Sequence, residues 1–281
     1  MIPAAFDYDV AESVDHAIEL LSEGGGDVKL LAGGQSLVPA LKLRIARPAK
    51  LVDLGRLAEL AYVRDGGTHI AIGALTRHAA VAADPLLTEH CAIVARTAGQ
   101  IGDPQVRSRG TIGGTLAHGD PASDLPAVML ALDGELVVRG RGGERVIRAT
   151  EFFTGVFQTA IGEDEVLVEV RVPKLSGSTG GAYVKAHRRA QDWATVGVAA
   201  LVHRDNGSIA GASIGLVNMG ATPLRAKAAE NALANGATVA DAAALVTEGA
   251  EPPSDHAGSS EYRAHLARVV ARRALEQALS G

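Results

Sequence analysis

Two glycine pairs flanked by hydroxyl side chains offer the best-defined chemistry in this 281-residue sequence. Residues 32–36 read Ala-Gly-Gly-Gln-Ser and follow a short apolar run, and residues 111–115 read Thr-Ile-Gly-Gly-Thr. Glycine lets the backbone approach a ligand closely, and successive backbone N–H groups can form a concave anion site. The pattern suits a phosphate or pyrophosphate, although one such pair alone is also typical of a tight turn. Two pairs indicate a ligand long enough to touch both.

Neither loop carries a common nucleotide signature, because the chain has no G-x-G-x-x-G at these positions and no Gly-Lys-Ser/Thr after them. A carboxylate lies shortly after the second loop, at Asp124 in the segment Gly119–Pro126. Asp124 could accept hydrogen bonds from sugar hydroxyls, or it could cap a helix. The two roles are compatible.

A third cluster, residues 183–194, combines positive charge with the only tryptophan, Trp193. Lys185 and two arginines are present there, and no carboxylate precedes Asp192. A cation at this point could stabilise the reduced, anionic form of a planar redox cofactor, and Trp193 could lie against its ring. The alternatives are a solvated turn with an ion pair, and a tryptophan buried in the core.

Short apolar runs predict the strands that must position these clusters, at residues 28–31, 51–54, 69–73, 135–139, 166–172, 196–202 and 212–217. Helical spacing predicts helices at 11–22, 75–100 with a break at Asp84-Pro85, 224–234, 238–247 and 260–279. The last helix is expected to turn inward Tyr262, Leu266, Val269, Val270 and Leu275. Asp-Asn-Gly at 205–207 predicts a hairpin turn.

A small, polar stretch at residues 176–181 reads as a linker. It divides the chain into two predicted domains, residues 1–176 and 177–281. The first would have two lobes, of about residues 1–55 and 56–176.

Composition excludes several classes of function. The formal net charge is −5 and no basic stripe is present, so nucleic acid is not an expected partner. The only cysteine, Cys91, allows neither an intramolecular disulfide nor a four-cysteine iron–sulfur site, and its apolar surroundings predict a buried, inert thiol. No apolar stretch approaches a membrane span and no signal peptide is recognised, which favours a cytoplasmic protein.

The three clusters, taken in order, resemble the FAD-binding subunits of the molybdenum hydroxylase family, which includes xanthine dehydrogenase and aerobic carbon monoxide dehydrogenase. The resemblance spans the chain, includes residues 102–110 and 212–218, and is strongest to the medium subunit of the carbon monoxide enzyme. It implies an α+β fold. A two-lobed FAD-binding domain of the vanillyl-alcohol-oxidase (PCMH) type would precede a small C-terminal α/β domain with an antiparallel sheet and a helical bundle.

The resemblance also implies a role for individual residues. Residues 32–36 and 111–115 would cradle the FAD pyrophosphate and the adjoining sugar, and Asp124 would contact ribityl or ribose hydroxyls. Lys185 would lie near the isoalloxazine, two apolar side chains would flank that ring, and one would pack near the adenine. The implied FAD contacts are Ala32, Gly33, Gly34, Gln35, Ser36, Ile101 (ring), Thr111, Gly113, Gly114, Thr115, Asp124, Leu167 (adenine), Lys185 and Trp193 (ring).

Two positions depart from the family pattern, which commonly has His or Thr at Gln35 and Asn at Thr115. Both residues present keep a hydrogen-bonding side chain, so we expect altered detail and retained FAD. No His or Cys suggests a covalent flavin link, and the expected binding is non-covalent. No residue of this chain is predicted to be catalytic or to bind a metal.

The implied partners are an iron–sulfur small subunit and a molybdopterin large subunit, in a dimer of heterotrimers. Electrons would pass from the clusters to FAD and then to an external acceptor such as a quinone, NAD or oxygen. One alternative is a self-sufficient FAD-dependent oxidase or reductase of the same fold, with His187 as the nearest acid–base candidate. Another is a flavin-free scaffold. The substrate stays open, with carbon monoxide slightly favoured by the resemblance.

Overall fold

The computed structural model of the protein describes residues 1–280 and has the mixed α+β fold that the resemblance implies. The strands are β1 (Asp7–Val10), β2 (Val28–Leu31), β3 (Lys50–Asp53), β4 (Val63–Asp65), β5 (His69–Gly73), β6 (Glu135–Gly140), β7 (Gly143–Arg148), β8 (Phe153–Gly155), β9 (Gln158–Thr159), β10 (Val166–Pro173), β11 (Thr179–Ala186), β12 (Val196–Asp205), β13 (Ser208–Val217) and β14 (Leu224–Arg225). Each strand predicted from the sequence is present: β2 and β5 have the predicted ends, and the others have shifted or extended ends.

The helices are α1 (Val14–Glu23), α2 (Leu37–Lys42), α3 (His78–Ala83), α4 (Pro85–His90), α5 (Ala92–Ala98), α6 (Pro104–Arg109), α7 (Ile112–His118), α8 (Asp124–Ala131), α9 (Ala149–Phe152), α10 (Lys227–Ala234), α11 (Val239–Ala244) and α12 (Ser260–Ser280), with a short 3-10 helix at Ala58–Leu60. The predicted helical segment 75–100 is three helices. Asp84 accepts a hydrogen bond from the Leu87 N–H and begins α4, and Cys91 separates α4 from α5.

The first sheet is parallel and has the strand order β1-β3-β2. The loop 32–36 follows β2 directly and leads into α2. Ser13 caps α1 by accepting a hydrogen bond from the His16 N–H at 3.0 Å. The helix buries the four residues whose spacing predicts it, Val14, Ala17, Ile18 and Leu21.

The second sheet is antiparallel and has the order β4-β5-β10-β6-β7. A bulge between Leu167 and Glu169 lets Leu167 and Val170, three residues apart, enter the same core with α5, α7 and α8. Val166 and Val168 enter the core that α1 shares with the first sheet. The sheet therefore joins the two predicted lobes.

The third sheet is antiparallel, in the order β11-β12-β13-β14, and is buried on both faces. Val198 and Ala200 of β12 pack in the core with α10, α11 and α12, whereas Ala199 and Leu201 join the core that contains α8. Burial on both faces explains why 196–202 is a continuous apolar run. The predicted turn at 205–207 is confirmed, with positive φ at Asn206 and Gly207.

Two predictions about the strands and helices are wrong. Residues 179–181 are not linker but the first residues of β11, where Gly180 allows the strand to lie against the Ala278 carbonyl of α12. The small residues of this segment allow β11 to pack closely against α12. Tyr262 is 51% exposed, because the buried stripe of α12 runs through Arg263, Ala267 and Val270 instead.

Cys91 is buried, as predicted, and burial raises the pKa of its thiol to about 12. At neutral pH the side chain is therefore an unreactive thiol. Among residues 1–280, no helix has both the length and the apolar character that crossing a membrane requires.

Candidate functional site

The two glycine loops meet. A Cβ added to Gly33 would lie against the Arg109 carbonyl oxygen and 2.7 Å from the Gly110 Cα, directly before the second loop. A Cβ added to Gly114 would lie 3.7 Å from the Ala32 side chain of the first loop. Loops that are far apart in sequence thus form one backbone-lined surface at the junction of the first and second sheets.

Glycine conformation, helix capping and close packing fix the backbone of each loop. Gly34 has φ +75°, a conformation that favours glycine, at the turn from β2 into α2. Thr111 caps α7 by accepting a hydrogen bond from the Gly114 N–H at 3.1 Å. Gly113 lets α7 approach the end of β5, because an added Cβ would lie 2.6 Å from the Ala74 carbonyl oxygen.

The charges beside the joined loops suit an anion. Arg77 donates a hydrogen bond to the Arg109 carbonyl. The positive charge of the Arg109 guanidinium also repels the guanidinium of Arg77. Burial and this repulsion lower the pKa of Arg77, against the opposing effect of Asp53. A bound diphosphate would relieve the excess of positive charge. Glycine-lined backbone and unbalanced cations together fit the pyrophosphate of a dinucleotide.

His78 is a residue of this site that the sequence does not reveal. Its Nε2 lies 2.9 Å from the Thr115 hydroxyl oxygen, and its Nδ1 is buried with no hydrogen-bond partner within residues 1–280. Burial, with a smaller effect from Arg107, lowers the pKa of His78 to about 4, so the ring is neutral at pH 7. Because a buried N–H without an acceptor is costly, the proton belongs on Nε2. Nε2–H then donates to Thr115, which leaves the hydroxyl hydrogen of Thr115 for a ligand.

We expect His78 to make the protein sensitive to acid. The depressed pKa means that the unfolded chain binds a proton that the folded chain does not, so stability present above pH 6.5 is lost as the pH falls toward about 4. The loss over this window amounts to roughly 3 kcal/mol. Urea unfolding of wild type and His78→Gln at pH 7 and pH 5 measures it. The variant should show a flatter pH dependence, and equal slopes would contradict the assignment.

Asp124 and Lys185 form a buried ion pair. Lys185 Nζ lies 2.9 Å from Asp124 Oδ2, and the exposed fractions of the two side chains are 2% and 5%. Tyr183 donates from its hydroxyl to Asp124 Oδ1 at 2.6 Å. Burial raises the pKa of Asp124, while Lys185 and Tyr183 oppose that shift. Lys185 is therefore not an uncompensated cation, contrary to what its own segment indicates.

Asp124 is not the helix cap either. It is the first residue of α8, and Ser123 precedes it in the capping position without a side-chain capping bond. The carboxylate is instead used to join α8 to β11. Since one carboxylate accepts about four hydrogen bonds, the pair leaves acceptor capacity for a ligand hydroxyl.

The remaining predicted contacts lie in four places. Gln35 is exposed, and Ser36 precedes α2 without a capping bond from its side chain. Ile101 is half-buried at the edge of the core that contains α5, α7 and α8, and Leu167 is inside that core. Trp193 is 61% exposed in the loop between β11 and β12, so its interpretation as a core residue is wrong. His187 of the same loop is also exposed.

The joined glycine loops suit the diphosphate of a dinucleotide. Residues 4–175 match the FAD binding domain in molybdopterin dehydrogenase, and residues 181–278 match the CO dehydrogenase flavoprotein C-terminal domain. The chain belongs to this family of FAD-binding subunits of molybdenum hydroxylases, which confirms the class of protein and the cofactor predicted from the sequence.

Curated proteins and solved structures agree with this assignment. The carbon monoxide dehydrogenase medium chain of Hydrogenophaga pseudoflava is 39% identical, over 99% of this chain and 98% of that protein. Subunit alpha of the 6-hydroxypseudooxynicotine dehydrogenase complex of Paenarthrobacter nicotinovorans is 42% identical, over 99% and 96%. The structure of carbon monoxide dehydrogenase from Hydrogenophaga pseudoflava, in a form lacking the Mo-pyranopterin moiety, superposes with a TM-score of 0.96 at 40% identity, covering 100% and 99%.

Proposed function

We propose that this chain holds one FAD non-covalently at the joined glycine loops and relays electrons between an iron–sulfur subunit and an external acceptor. The single observation that carries the proposal is the contact of Gly33 with the backbone of Arg109 and Gly110. This contact places the two glycine loops, each suited to bind an anion, on one surface. FAD, when bound, supplies the exchange of one or two electrons.

In this proposal, residues 32–36 and 111–115 bind the diphosphate through backbone N–H groups and hydroxyls. Thr115 donates its hydroxyl hydrogen, oriented by His78, and Ser36 donates a second. Asp124 accepts from ribityl or ribose hydroxyls while it holds Lys185 beside the isoalloxazine. Ile101 and Trp193 flank the ring, and Leu167 packs near the adenine. None of these roles requires a nucleophile or a general base in this chain.

The surrounding complex is proposed from the relatives. Medium chains imply smaller and larger companions, which we identify as an iron–sulfur subunit and a molybdopterin subunit in a dimer of heterotrimers. The acceptor is a quinone, NAD or oxygen. We further propose that the chain divides into domains 1–176 and 177–281, and that it acts in the cytoplasm.

The substrate of the complex is proposed to be chosen outside this chain. Relatives of similar identity, 39% and 42%, belong to enzymes named for carbon monoxide and for 6-hydroxypseudooxynicotine. Two relatives that are about equally similar to this chain thus belong to enzymes with different substrates. This favours a shared role in electron transfer for the FAD subunit, with the substrate chosen by a partner subunit. Carbon monoxide stays slightly favoured as the substrate, because the sequence motifs most resemble those of the carbon monoxide enzyme.

Purification of the full chain, alone and with its partner subunits, tests the proposal. The chain alone should be yellow, should release FAD on denaturation, and should not be bleached by alcohols or NAD(P)H. The complex with its oxidisable substrate should bleach the same FAD. A colourless folded chain that takes up no added FAD would support a scaffold, and bleaching of the isolated chain by an alcohol would support a self-sufficient oxidase.

A further inference from the structure

The loop of residues 187–195, between β11 and β12, carries Trp193 and is fixed at its base. The Thr195 N–H donates to the Ala186 carbonyl at 2.8 Å, which closes the loop. Asp192 accepts hydrogen bonds from the backbone and side chain of Arg189, which ties the tip internally. The Trp193 side chain itself is largely exposed. Its direction therefore depends on how the backbone leaves the loop.

Asn218 holds that exit. Its side-chain Nδ2 donates to the Ala194 carbonyl at 2.8 Å and to the Thr195 carbonyl at 3.3 Å. Its backbone N–H donates to the Pro121 carbonyl at 2.7 Å. Asn218 has φ +61°, a left-handed conformation that asparagine adopts more readily than most residues. One residue thus ties the peptide after Trp193 to the segment that leads into Asp124.

Arg263 holds the exit from the other side. Its guanidinium is fully buried, and Nη1 donates to the same Thr195 carbonyl at 2.5 Å while Nη2 donates to Asp255 Oδ1 at 2.5 Å. Its Nε is buried without a partner among the residues described. A buried guanidinium that bonds both to Asp255 and to the Thr195 carbonyl fixes that carbonyl from the side of α12.

We propose that Asn218 is a positioning residue, which fixes the exit of the 187–195 loop to the flavin-binding part of the chain and so sets Trp193 against the flavin. The inference rests on the proposed contact between Trp193 and the isoalloxazine. Lys185 at the loop entrance pairs with Asp124, and Asn218 at the loop exit bonds to Pro121. Both ends are therefore fixed to residues 121–124, and Asn218 acts on the flavin only through Trp193.

The test uses Asn218→Gly, which keeps the left-handed backbone and removes the amide donors. Asn206→Gly is the matched control, because Asn206 also has positive φ, at +49°, but lies in the β12–β13 turn. The spectra are measured on the complex purified with its partners. A tryptophan stacked on flavin quenches flavin fluorescence.

We expect Asn218→Gly to retain FAD, to raise flavin fluorescence several-fold and to change the visible circular dichroism. Asn206→Gly should leave both signals unchanged.

Asn218→Asp provides a second variant that keeps the side-chain shape and replaces the amide donors by a carboxylate facing two carbonyls. It should give the same spectral change. In a Trp193→Ala background, which itself raises the fluorescence, neither substitution should add anything. Wild-type spectra in both Asn218 variants, with a clear change in Trp193→Ala, would overturn the positioning role and leave the flavin contact standing. A silent Trp193→Ala would instead refute the proposed contact, and the inference with it. Loss of FAD from both Asn218 variants would also overturn it, since the glycine loops would then depend on Asn218.

Discussion

Gly33→Val is expected to abolish FAD retention in a chain that still folds. The new Cβ would meet the Arg109 carbonyl and would come within 2.7 Å of the Gly110 Cα. Both are backbone atoms that no side-chain rotation can move aside, so the two glycine loops must separate. Overpacking of this kind costs about 1–3 kcal/mol. The larger effect falls on the ligand, because the diphosphate then loses the donors of one loop.

The measurement is the ratio of FAD to protein after gel filtration, with a thermal unfolding curve to show that the variant is folded. Gly142→Val is the matched control, because a Cβ there meets nothing within 4 Å and Gly142 lies in the β6–β7 turn. It should keep full FAD content. Full FAD content in folded Gly33→Val would contradict the proposed site. Separation of the two loops is the expected cause of the loss.

Lys185→Ala is expected to cost about 3–5 kcal/mol of stability, because it leaves the Asp124 carboxylate buried without its cation. The pKa of Asp124, already raised by burial, must rise further. A carboxyl group with a raised folded pKa contributes stability that is fully present below its unfolded value of 3.8 and is lost as the pH rises through the folded value. The deficit of the variant should therefore be larger at pH 8 than at pH 5. Urea unfolding at the two pH values measures it.

The same variant is expected to retain FAD and to lower its reduction potential, since removing a cation disfavours the anionic reduced ring. This shift should also grow with pH, as Asp124 ionises without a partner. A redox titration that shows no shift at either pH would remove Lys185 from the flavin. The double variant Asp124→Asn, Lys185→Met has no buried charge and should recover much of the stability. Failure of the double variant to recover would assign the loss to packing.

Local patterns made much of the fold predictable. Four apolar residues at helical spacing, ended by three glycines, define α1, and alternating residues define β5. The glycine pairs were predictable as places of tight turning and close backbone approach because those requirements are local, and their use as an anion site stays a prediction. The strand at 179–181 was not, since small residues that pack against α12 look like a linker when the partner helix lies about a hundred residues away.

Pairing between distant residues explains the rest. Asp124 and Lys185 are 61 residues apart, and His78 and Thr115 are 37 apart, so no spacing rule links them. From the sequence alone, Lys185 reads as a free cation, Asp124 as a helix cap and His78 as one histidine among nine. Only the folded chain, in which side chains of α3 and α7 and of α8 and β11 meet, gives them their partners.

The single thiol has a practical consequence. Because Cys91 is buried and protonated at neutral pH, maleimide reagents will find no reactive cysteine in this chain. A cysteine introduced at the exposed Gln191 could then carry a fluorophore or spin label at one defined point. Movement of the tryptophan-bearing loop could be followed in real time without first redesigning the background.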